Sequence, residues 1–152
     1  MGYYSEVAYG IEVDDIKWND RATEEDKKNL NADGIFLLML TEMQSDPIAG
    51  KCFDDTYEIN VHLTVNKERR TILFAESGLK WYDDYEDVKA HERLYELMVE
   101  YAELYGKRED MINPVSCAYV RIGEEDDDIE ERGAGYDQYS IMSTYRGVDI
   151  HI

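Results

Sequence analysis

The sequence predicts an α+β fold: a single, mostly antiparallel sheet of about five strands with two helices on one face. Three observations lead there. Apolar residues alternate with polar or small ones at 7–13 and 57–65, the period of half-buried strands. From Val88 to Tyr105 they recur at spacings of three and four, the period of an amphipathic helix. The elements then run β, α, β, β, α, β, β with hairpin-length connections and no strict β-α-β alternation. A ferredoxin-like arrangement of the first six elements is one form of this order.

Taken in order, Val7, Tyr9, Ile11 and Val13 place a first strand at 3–13. Thr23 with Asp26 three residues on offers a helix cap, although Asn29, Asn31 and Asp33-Gly34 interrupt the pattern soon after. The Leu- and Met-rich run before Asp46-Pro47 reads as a helix at 34–45, with a buried strand at 35–40 as the alternative. Strand 57–65, the connector Asn66–Arg69 and strand 71–75 form a hairpin. Asp83 and Asp84 are placed to cap a helix over 84–105, ended by Gly106. Asn113-Pro114 opens a strand at 115–122. An acidic run, a Gly133-Ala134-Gly135 turn, a strand at 139–145 and a short strand at 148–152 follow. Nothing divides the 152 residues, so one domain over 1–152 is expected.

Charge narrows the function. With 35 acidic and 16 basic residues the chain carries −19, and its 43% apolar content is too high for a disordered acidic tail. Such a field repels nucleic acid and anionic lipid and attracts basic partners, so direct nucleic-acid or membrane binding is not expected. No apolar stretch is long enough to span a bilayer and the first residues lack an export signal, so a cytoplasmic protein is expected. Cys52 and Cys117 lack metal or redox spacing and read as buried thiols.

No catalytic signature emerges. Nucleophile-elbow, phosphate-loop, zinc-protease and dinucleotide motifs are missing, so no catalytic residue, metal site or cofactor is assigned and a non-enzymatic role is expected. The run Glu124 to Glu131 has oxygen ligands at the alternate spacing of a calcium loop, with Asp137 twelfth from Asp126. Glu131, however, stands where such a loop requires glycine. His62, His91 and His151 have no second ligand at helical spacing and read as core or surface histidines. Two features remain for an interface. The acids Glu124, Glu125, Asp126, Asp127, Asp128, Glu130 and Glu131 can present phosphate-like charge to a basic groove, or simply form a solvated loop. The aromatics Trp81, Tyr82, Tyr85 and Tyr136 lie beside acid clusters, the first three around Asp83 and Asp84, and suit interface anchors.

The opening Met1-Gly2-Tyr3-Tyr4-Ser5, the stretch Gly78-Leu79-Lys80-Trp81-Tyr82-Asp83-Asp84-Tyr85-Glu86-Asp87-Val88, and Tyr119-Val120-Arg121-Ile122-Gly123-Glu124 resemble a family of small uncharacterised acidic bacteriophage proteins. The resemblance implies a phage or prophage origin and expression in a bacterial host cell, and it transfers no catalytic residue. With the charge it leads to an expected function: an inhibitor of anti-CRISPR or anti-restriction type. It would bind and block a basic, nucleic-acid-handling host defence protein by partial nucleic-acid mimicry. The balanced charge of residues 57–123 departs from a plain mimic. The alternatives are an immunity-like or regulatory protein that binds a basic toxin or host enzyme by shape, and a metal-dependent enzyme whose carboxylates converge only in the fold. A homo-oligomer joined through the edge strand 148–152 is a further expectation.

Overall fold

The computed structural model describes residues 2–54 and 62–135. Its strands are β1 (Ser5–Val13), β2 (Lys17–Trp18), β3 (Leu63–Asn66), β4 (Thr71–Leu79), β5 (Met111–Ile112), β6 (Val115–Gly123) and β7 (Ile129–Gly135). The helices are α1 (Glu24–Asn29), α2 (Ala32–Ser45) and α3 (Glu86–Gly106), with a 3-10 turn at Ala49–Phe53. The main sheet runs β3-β4-β1-β6-β7, every neighbour antiparallel. Helix α2 carries the chain from β1 to β3 past β4, and α3 carries it from β4 to β6 past β1. These two split crossovers give the β-α-β-β-α-β order expected, with β7 added beyond β6.

Strand alternation fixes which face is covered. Val7, Tyr9, Ile11 and Val13 of β1, Ile72 and Phe74 of β4, and Val115, Cys117 and Tyr119 of β6 form one buried cluster. Ile35, Phe36, Met39 and Met43 of α2 and Leu94, Tyr95 and Met98 of α3 complete it, so both long helices lie on that face. The aromatics carry much of this core: a ring as buried as that of Tyr9 removes at least ~150 Å² from water, about 4 kcal/mol before the entropy of ordering it. The opposite face is built small at its centre, with Ala8, Ala118 and Val120 buried together.

The cap expected at Thr23 and Asp26 is a complete capping box on the short α1. The helix ends at Asn29, where the pattern breaks, and the Asn31 side chain caps α2 by accepting from the Gly34 amide. Other expectations are corrected. Asp83 and Asp84 do not cap α3; Tyr85 occupies the cap position without a side-chain bond. Gly133-Ala134-Gly135 is not a turn but the end of β7, pairing Ser116–Ala118. The acidic run is therefore half turn, half strand. Strand β4 also extends to Leu79, past an irregularity in its pairing with β1 between Ser5 and Val7, where Gly78 takes a positive φ of 69°. The proposed strands at 139–145 and 148–152, the Tyr57–Val61 half of a third, and Tyr136 fall outside the described residues.

Candidate functional site

A cleft of about 670 Å³ opens where the start of α3, the 80–85 loop, the N-terminal residues and the β6–β7 hairpin meet. Tyr3, Ser5, Trp81, Tyr82, Asp83, Lys89, Glu92, Arg121, Asp128, Glu130 and Arg132 line it. Its volume lies within the range of small-ligand and anchor-residue pockets. All three segments that carry the phage-protein resemblance contribute to it, although they are far apart in sequence.

Its floor is a chain of hydrogen bonds leading out of the core. The Trp81 indole N–H donates to the Tyr119 hydroxyl at 3.1 Å, and that hydroxyl donates to Glu92 Oε1 at 3.0 Å. Arg132 Nη2 bonds both Glu92 oxygens at 3.0 Å, and its guanidinium lies 3.8 Å over the Tyr119 ring. Arg132 Nε sits 3.0 Å from Glu130 Oε2 without the alignment of a hydrogen bond, so that contact is an ion pair only. Beneath, Tyr9 and His91 Nδ1 share a short hydrogen bond, and burial pushes the His91 pKa down to about 4. The ring is therefore neutral at pH 7. The phenol of Tyr119 is held protonated by the same burial, with Glu92 adding to it.

The acidic turn is fastened to the N-terminus. Tyr3 donates its hydroxyl to Asp128 Oδ2 at 2.6 Å, accepts the Glu125 amide at 3.1 Å, and gives its own amide to the Tyr82 hydroxyl at 2.6 Å. The Tyr4 amide donates to Glu124 at 2.8 Å. Behind the turn, Arg121 grips Asp128 at 2.7 and 3.2 Å and Glu130 at 3.3 Å. The Arg121 hydrogen bond, followed by that from Tyr3, lowers the Asp128 pKa to about 2. Gly123 leaves room for this arrangement: a Cβ there would stand 2.0 Å from Asp128 Oδ2 and 2.4 Å from the Tyr3 hydroxyl, and both side chains would have to shift.

The two predicted interface segments therefore meet, joined through Tyr3, but their residues differ in availability. Glu124, Asp128 and Glu130 are engaged within the protein, and Glu131 lies on β7 with contacts of its own. Glu125, Asp126 and Asp127 form the exposed tip. Trp81 is only 9% exposed and belongs to the core, because its large ring packs on Phe74 and His91; it is not a projecting anchor. Tyr82 is half-buried and meets Tyr85 edge-on at 5.2 Å, while Tyr85 is exposed beside Asp83 and Asp84. His62 pairs with Glu76, and burial raises the thiols of Cys52 and Cys117 to about 12 and about 11, which keeps them protonated. Among the described residues no three His, Cys, Asp or Glu side chains are grouped to hold a metal, and no helix is long and apolar enough to cross a membrane.

A second groove, about 500 Å³, was missed from sequence. Glu96, Glu100 and Glu103 rise along α3 above Tyr95 and Val99, facing Arg132 and Gly133 of β7. The acids were readable as one wet helix face, but nothing in the pattern places β7 opposite them. Comparison of the chain with protein-family models, curated proteins and solved structures finds no match.

Proposed function

We propose that this is a non-enzymatic, acidic binding protein that occupies a basic, nucleic-acid-handling surface of a host defence protein, in the manner of an anti-CRISPR or anti-restriction inhibitor. The supporting observation is that Tyr3 ties the acidic turn, through Asp128, to Tyr82 at one aromatic-lined cleft, while the exposed Glu125–Asp127 tip and Asp84-Tyr85 flank these anchors in sequence. An acidic surface that surrounds a recess and carries exposed tyrosines combines steering with anchoring. The −19 net charge extends that steering to the whole molecule. The phage resemblance supports a bacterial cytoplasm as the setting.

The test is capture from a bacterial lysate on the immobilised full chain, with duplex DNA as competitor. The expected result is a nucleic-acid-binding protein released by the DNA and by raising salt from about 50 to about 200 mM, the range over which phosphate-like contacts weaken most visibly. Capture of a partner indifferent to both DNA and salt would overturn it. One observation favours the shape-based reading as the rival: Arg121 and Arg132 already neutralise Asp128, Glu130 and Glu92, which leaves less free charge than the run suggests. On that reading Tyr85→Ala weakens binding more than removal of the exposed tip acids.

A further inference from the structure

We propose that the cleft receives the guanidinium of a single arginine presented by the basic partner, an inference that rests on the binding function above and names the group it recognises. The lining supplies four carboxylates, Asp83, Glu92, Asp128 and Glu130, against three cations, Lys89, Arg121 and Arg132. One negative charge is left in excess. Arg121 bonds Asp128 and Glu130, and Arg132 bonds Glu92 and pairs with Glu130, so three of the four carboxylates already face an arginine. Among the described residues Asp83 has no hydrogen-bond or ion-pair partner, and it stands exposed in the cleft lining beside Tyr82.

The choice of arginine over lysine follows from the walls. A guanidinium is planar, weakly hydrated and able to stack on a ring while its N–H groups bond a carboxylate; an ammonium is compact and strongly hydrated. Tyr3, Trp81 and Tyr82 line the cleft together with the carboxylates. The protein already builds this arrangement once inside the same cleft, where Arg132 stacks 3.8 Å over Tyr119 and bonds Glu92. Lys89 is exposed and, among the described residues, has no ion pair, so it opposes any incoming cation and leaves the lining an excess of a single negative charge, enough for one guanidinium. Asp84 and the Glu125–Asp127 tip lie outside the lining and act at longer range, drawing in the basic surface that carries the arginine.

The experiment is an NMR titration of the ¹⁵N-labelled full chain with N-acetyl-arginine amide and, separately, N-acetyl-lysine amide. Saturable shifts are expected at Tyr82, Asp83, Lys89 and the Trp81 indole, larger and tighter with the arginine compound. Asp83→Asn is expected to weaken the interaction about tenfold, the scale of one charge-assisted hydrogen bond, and Lys89→Met to tighten it. Both substitutions are at exposed side chains, and the same spectra report whether the fold is intact. Equal responses to the two amides, shifts spread over exposed acids without saturation at the cleft, or an unchanged affinity in Asp83→Asn would each overturn the proposal. The two readings fail separately. A DNA-competed partner whose capture ignores Asp83→Asn removes the socket and leaves the function. Arginine bound in the cleft, with only DNA-indifferent partners recovered, removes the function and leaves the socket.

Discussion

The segments 83–87 and 124–130 look alike in sequence, both dense in carboxylates, yet the fold uses them in opposite ways. In the second, Asp128 and Glu130 sit on or beside a β-hairpin whose partner strand brings Arg121 across, and Arg132 lies two residues further along β7. In the first, Asp83 and Asp84 precede α3 in a loop, pair with no arginine among the described residues, and stay exposed. The difference teaches that acid density in a sequence is not available charge: strand pairing decides which carboxylates are neutralised before any partner arrives.

The largest expected effect is at Arg121. Its replacement by Leu leaves Asp128 with the Tyr3 hydroxyl alone and Glu130 with Arg132 alone, and removes a contact to Ser5. A partly buried pair broken on one side costs about 2 kcal/mol, less than the full penalty of a deeply buried one. For a chain of this length that corresponds to a fall in Tm of roughly 4–8 °C, measurable by calorimetry. Lys89→Met, which breaks no pair, is expected to stay within about 0.5 kcal/mol of the parent. If the two variants melt alike, the contrast between engaged and free charge is wrong.

The same pair can be read through pH. The Asp128 carboxyl is held at about 2 in the fold, below its ordinary 3.8, so the native state keeps it ionised where the unfolded chain takes up a proton. Its contribution is complete above the ordinary value and is lost as pH falls from about 4 towards 2. Urea unfolding at pH 5 and at pH 2.5 should therefore show a smaller acid loss in Asp128→Asn than in the parent. An identical loss would mean that Arg121 does not stabilise the ionised form. Smaller again is Tyr3→Phe, which deletes a hydrogen bond to Asp128 and another from the Glu125 amide. A small loss of stability is expected, together with faster amide exchange at Glu125. Unchanged exchange there would show that the turn holds itself.

Much of the fold was legible because its signals are local. The alternation in β1 and the stripe on α3 report burial on one face, and burial is what shaped those elements. His91 was readable as a core histidine from its place on that stripe, and the structure puts it 1% exposed against Tyr9. What stayed hidden depends on pairing across the chain. The Lys17–Trp18 and Met111–Ile112 ribbon is two residues deep, too short for any period. Trp81 read as an anchor because its neighbours are acidic; only the fold shows the indole turned inward to Tyr119. The cleft itself needs Tyr3 to reach Asp128 across 125 positions, and no spacing rule sees that.

The smallest effect on stability carries the sharpest test of the comparison. Among the described residues the exposed side chains of Glu125, Asp126 and Asp127 make no hydrogen bond or ion pair, so changing all three to Ser should move stability by less than about 0.5 kcal/mol. The turn is held by backbone bonds from Asp128 to Glu125 and from Gly123 to Asp128, and by Tyr3, none of which needs those carboxylates. If the tip steers, the association rate with the captured partner falls and its dependence on salt becomes shallower, while dissociation is little changed. Faster dissociation in Asp83→Asn with unchanged association would be the complementary signature of a docked contact. Should the triple variant associate as fast as the parent at low salt, the tip is solvated turn and nothing more, and the steering field belongs to the molecule as a whole.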